Sequence, residues 1–129
     1  MTGPWTKTNL DDVEDAAPGN GFGERWEARV AREDLDAERT GLTFFRIRAG
    51  KRSPFNHRHR EAEEVYVVLA GEGWIKLGEE IRPLVPLDAI RIAPEVPRAF
   101  EAGPDGLELL VFGAHHGSDG EPVDDDWVK

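Results

Sequence analysis

From Phe22 onward the chain is built of short segments in which apolar and polar residues alternate with a period of two. In Arg25–Arg32, Trp26, Ala28 and Val30 fall on one face, with Glu27 and Arg29 on the other. The stretch GLTFFRIRAG, ending at Gly50, predicts a second strand, and EEVYVVLAG a third. GWIKLGEEIRPLVP predicts a hairpin with Gly78, Glu79 and Glu80 near its turn. DAIRIAP and PRAFEAG follow, and GPDG at 103–106 predicts a turn before the last strand, LELLVFGA. No long helical period and no internal repeat interrupts this series. Many short strands without strand–helix alternation predict a β-sandwich or barrel, not a doubly wound fold.

The two ends differ from the middle. Residues 1–21 are acidic and punctuated by Pro18, Gly19 and Gly21, which predicts an arm with a short capped turn at Asn9. Residues 115–129 predict a polar, acidic tail after a barrel over 22–114. His115 and His116 match no ligand spacing. Trp127, inside an acidic run, predicts that the tail folds back and packs. In the third strand Val65, Val67 and Leu69 alternate with Tyr66 and Val68, so both faces are apolar. A strand of that kind needs a second cover. The arm, the tail or a second subunit could supply it, and a homodimer is expected.

Length and charge narrow the partners. A chain of 129 residues can bury one core. A net charge of −10 argues against broad phosphate-backbone binding, so no nucleic-acid partner is expected. No apolar run is long enough to span a membrane, and the first residues lack the apolar core of a secretory signal, so the expected location is the cytoplasm. With no cysteine there is neither a disulfide framework nor a thiolate nucleophile.

The candidate chemistry lies in FNHRHREAEEVYVVLAGEGW, residues 55–74. On a strand, His57 and His59 face the same way, with Arg58 and Arg60 opposite. Glu64 can return opposite the histidines from the next strand, on a face with Tyr66, Val68 and Ala70; Glu63 faces the other way. Two imidazoles and a carboxylate suit one divalent transition metal: zinc with an open position, or octahedral iron, manganese or nickel.

His57-Arg58-His59, Glu64 and Gly71 resemble the first motif of the cupin superfamily, with Gly50 one residue further upstream than usual. The second motif is degenerate. Asp88 matches, but Leu87 stands for a glycine, Ala93 and Glu95 for the turn proline and glycine, Arg98 for the histidine ligand and Ala102 for an asparagine. The resemblance runs from about Asn9 to Trp127 and is closest to small single-domain cupins of the type-2 conserved-barrel kind. It implies a double-stranded β-helix, an all-β jelly roll. It does not imply one reaction. Two readings stay open. In one, a small polar or anionic molecule binds in the barrel beside a metal on His57, His59 and Glu64. Arg98 and Tyr66 then contact the ligand, and Tyr66 is the weak candidate for proton transfer. In the other, there is no metal and Arg98 pairs with Glu64. The aromatic residues Trp26, Phe45, Trp74 and Phe100 are expected mainly in the core.

Overall fold

The computed structural model describes residues 3–54, 56–59, 62–114 and 120–123, the second and last of these stretches as backbone. The arm begins with two single turns of 3-10 helix. In the first, over Leu10–Asp12, the Asn9 side chain accepts a hydrogen bond from the Asp11 amide at 2.9 Å, the capped turn that the sequence predicts. The second covers Pro18–Asn20 and closes on Gly21. Between them Val13 and Ala17 are buried, so the arm contributes to the core.

Eight strands follow: β1 Trp26–Val30, β2 Thr40–Ile47, β3 Asn56–His59, β4 Glu64–Leu77, β5 Glu80–Leu84, β6 Ala89–Ile92, β7 Arg98–Ala114 and β8 Gly120–Val123. All pairing is antiparallel. The two long strands, β4 and β7, organise the rest. The first half of β4 pairs with the second half of β7, which β2 and β6 flank and β1 extends. The second half of β4 pairs with the first half of β7, flanked by β5 on one side and by β3 and β8 on the other. Two faces of one continuous sheet thus close over a shared interior, a double-stranded β-helix. Val68, Ile75, Leu107, Leu109 and Ile47 fill that interior. Burying each such side chain contributes about 1.5–3 kcal/mol. Trp26 stacks on Phe45 with ring centroids 4.3 Å apart, and Trp26 and Phe100 are buried core residues, as the sequence predicts. No described helix is long and apolar enough to cross a membrane.

Three sequence expectations need correction. The third strand and the first limb of the hairpin are one strand, because the ladder of β4 runs on through two irregularities, at Val68–Ala70 and Gly71–Gly73. GPDG does not reverse the chain. Leu107 pairs with Gly71 and Ala102 with Gly73, so 103–106 bulge out of a β7 that continues in one direction. Ala70 does not share the face of Glu64. The irregularity at Leu69 pairs Ala70 with Glu108 instead, which shares its side of the sheet with Arg46. Within 115–129, Gly120–Val123 forms a strand on β3. His115, His116 and Trp127 lie outside the described residues.

Candidate functional site

Glu64 opens β4, and its register partners Gly113 and Ile92 place it in line with Tyr66 and Val68. Gly113 gives the carboxylate room, since a Cβ there would meet the Glu63 carbonyl oxygen at 3.0 Å and the Glu64 side chain at 3.4 Å. Arg98 opens β7 at the other side of the barrel, opposite Leu77 in β4 and His57 in β3. Of His57 and His59 only the backbone is described. Their side chains, and those of Arg58 and Arg60, lie outside the described residues.

The three described side chains meet. Arg98 donates from Nη1 to Glu64 Oε1 at 2.9 Å, and the Tyr66 hydroxyl donates to the same oxygen at 2.9 Å. Arg98 has no exposed surface and Tyr66 is 2% exposed. The rest of the guanidinium is held by a backbone turn. Nε donates to the Val96 carbonyl at 2.9 Å, and Nη2 donates to Ala93 at 2.9 Å and Pro94 at 3.4 Å. That turn closes through the Val96 amide on the Ala93 carbonyl at 3.2 Å. A buried cation therefore sits between a carboxylate and carbonyl oxygens, the arrangement that offsets its desolvation.

Burial raises the Tyr66 pKa well above its ordinary value near 10, the Glu64 charge adds to this, and Arg98 partly offsets it. The hydroxyl stays protonated and its hydrogen is committed to Glu64, which makes Tyr66 a poor general base. Phe100 packs against it with ring centroids 4.9 Å apart. The backbone acceptors at Ala93, Pro94 and Val96 had no side-chain signature. Pro94 and Pro97, which bracket a turn, were the available hint.

The segment that resembles a second motif opens on a turn. Val85–Asp88 is a β-turn with Pro86 at its second position, closed by the Asp88 amide on the Val85 carbonyl at 3.1 Å. Its third position requires a positive φ, and Leu87 supplies one at 73°. The Asp88 carboxylate accepts from the Val85 amide at 2.9 Å. Leu87 thus does a glycine's work while 81% exposed.

Among the described residues, no group of three His, Asp or Glu side chains could hold a metal ion. A metal on Glu64 Oε1 would sit about 2.0–2.2 Å from that oxygen. The same oxygen carries the Arg98 guanidinium at 2.9 Å. Like charges that close repel, and Arg98 is anchored on the turn. In this arrangement Glu64 Oε1 is shared by Arg98 and Tyr66, so a cation on that oxygen would sit beside the guanidinium.

No family model and no curated protein matches the chain. Solved structures do. A cupin protein from Bacteroides fragilis superposes with a TM-score of 0.72 at 24% identity, covering 91% of this chain and 89% of that one. A sugar phosphate isomerase of the cupin superfamily from Silicibacter pomeroyi gives 0.75 at 20% identity, covering 94% and 83%. The fold is that of the cupins. The polyketide cyclase RemF from Streptomyces resistomycificus shares it, with a TM-score of 0.75 at 23% identity over 94% and 87% of the two chains. Within the cupin fold, Arg98 stands where the motif resemblance puts the fourth metal ligand.

Proposed function

We propose that this protein is a small cupin that binds a small polar or anionic molecule in its barrel without a metal on Glu64, the cation's place being taken by Arg98. The observation that carries this reading is the fully buried guanidinium bonded at once to Glu64 and to three backbone carbonyls. A carboxylate so neutralised has little left to offer a metal. Arg98 is also engaged too deeply to serve as a mobile clamp for an incoming anion. The part given to it there passes to other barrel residues. Barrel binding of a small molecule is supported by the fold's company, which includes proteins named as a sugar phosphate isomerase and a polyketide cyclase. Tyr66 acts in this reading as a fixed hydrogen-bond donor to Glu64, not as a catalyst.

The test is metal analysis of protein purified without an affinity tag, followed by calorimetric titration with zinc, nickel, manganese and ferrous iron. The parent is expected to carry no stoichiometric metal and to bind none tightly. Arg98→His removes the buried positive charge and adds an imidazole, and should raise zinc or nickel affinity by on the order of 100-fold. Arg98→Met removes the charge without adding a ligand and is the control. Stoichiometric metal in the parent, retained in Arg98→Met, would overturn the reading in favour of a metal on His57, His59 and Glu64.

A further inference from the structure

A recess lies outside the barrel, between the arm and the turn that follows β1. Its volume is about 810 Å³, within the range of sites that take small molecules. The arm forms one wall and is fixed on β1. Asp15 Oδ1 accepts from the Ala17 amide at 3.0 Å and from the Ala28 amide at 2.9 Å, and Arg29 Nη1 donates to the Val13 carbonyl at 2.6 Å. The turn at 32–37 forms the other wall. It closes through the Leu35 amide on the Ala31 carbonyl at 2.9 Å and the Ala37 amide on the Arg32 carbonyl at 3.0 Å.

Arg32 sets the chemistry of this recess. Its Nε is buried and has no hydrogen-bond partner, and among the described residues no carboxylate pairs with its guanidinium. A buried donor left unmet is costly, so the group points to an acceptor brought from outside. Four carboxylates, on Glu14, Asp15, Glu33 and Asp34, share the same lining, and Arg32 is the single base among them. Those carboxylates repel a plain anion, and Arg32 repels a plain cation. A molecule with separate negative and positive ends meets both. Val30, 53% exposed, and Val13 add apolar surface to the same recess.

We infer that this recess binds a short peptide with aliphatic side chains and free ends, its carboxylate on Arg32 and its ammonium among Glu14, Glu33 and Asp34. The inference is independent of the metal-free reading of the barrel, since none of these four residues takes part in the Glu64–Arg98 contact. Both walls are held by hydrogen bonds before a ligand arrives, which lowers the ordering cost of binding.

The experiment is calorimetric titration of the full chain with L-leucyl-L-leucine. Binding is expected with a Kd of about 1 mM or tighter. Two analogues read the charges one at a time: N-acetylation removes the ammonium, and C-terminal amidation removes the carboxylate. Each should bind at least about 10-fold more weakly, through loss of a charge-assisted contact. Arg32→Gln should weaken the dipeptide by about the same factor and leave the amidated form unchanged, because that form has no carboxylate for the guanidinium to hold. Glu33→Gln, at an exposed position, is the second variant should Arg32→Gln misfold; it should weaken the dipeptide at least about 3-fold and leave the N-acetylated form unchanged. Circular dichroism checks both. Three results would overturn the inference: no binding of the dipeptide at about 10 mM, an analogue that binds as tightly as the dipeptide, or a dipeptide affinity untouched by both substitutions.

Discussion

Gly71 in the first motif and Leu87 in the second occupy equivalent backbone circumstances, yet only one is a glycine. Both have left-handed φ, 79° and 73°. At Gly71 an added Cβ would come within 2.1 Å of the Gly106 carbonyl oxygen, where β4 and β7 press together at the bulge. Leu87 points from an exposed turn and meets no such wall. A left-handed L-residue costs about 1–2 kcal/mol, which a fold can absorb at one turn. A backbone collision inside the central ladder leaves no room to absorb it. The difference teaches that two positions in one segment carry unequal weight. The positive φ at Leu87 is a matter of local strain, whereas Arg98 sets which partner Glu64 meets inside the barrel.

The comparison can be broken most directly at Gly71. Gly71→Ala should cost about 3 kcal/mol or more, read as a fall in the denaturant midpoint, because strain and collision act together. A loss below about 1 kcal/mol would mean that β4 and β7 separate easily, and the contrast with Leu87 would fail.

Tyr66 sharpens the comparison from inside the barrel. It is the only tyrosine in the chain, so tyrosinate absorbance reports on it alone. Its folded pKa lies above the ordinary value near 10. Below pH 10 both folded and unfolded states keep the proton. Above it the unfolded chain releases the proton and the folded one does not, so this group's favourable term shrinks by up to about 1.4 kcal/mol per pH unit. Absorbance should stay flat past pH 10 and rise only with unfolding. Tyr66→Phe should lose about 1 kcal/mol at neutral pH and show a shallower alkaline decline. Ordinary titration near pH 10 in the folded protein would show that the hydroxyl is not held on Glu64.

The smallest effect is expected at Leu87. Leu87→Gly relieves about 1–2 kcal/mol of left-handed strain but adds about 0.4–1 kcal/mol of unfolded-chain entropy. A net gain of roughly 0.5 kcal/mol should appear as a few degrees in Tm. Destabilisation would mean that the exposed leucine has a contact that offsets its backbone.

Much of the fold was legible because its signals are local. The period of two in β1, β2 and β4, and the Gly78 turn between β4 and β5, need no long-range knowledge. Bulges were not legible, because Gly103-Pro104-Asp105-Gly106 is equally good chemistry for a reversal and for a bulge. Only the pairing of Leu107 with Gly71 and Ala102 with Gly73 decides between them. The strand at Gly120–Val123 was hidden for a related reason. Gly-Glu-Pro-Val has weak strand propensity, and it pairs because β3 offers an edge. In the candidate site, the meeting of Arg98 with Glu64 was one of the two readings that the cupin resemblance left open. The ring of carbonyls that fixes the guanidinium could not, since backbone acceptors are present at every residue and leave no mark in the sequence.

Arg98 is joined to the chain by covalent bonds. Every copy that leaves the ribosome brings this cation in fixed one-to-one supply, and no chelator can strip it, no scarcity can withhold it and no rival ion can displace it from the chain. A barrel in which Glu64 is met by Arg98 draws that charge balance from its own sequence.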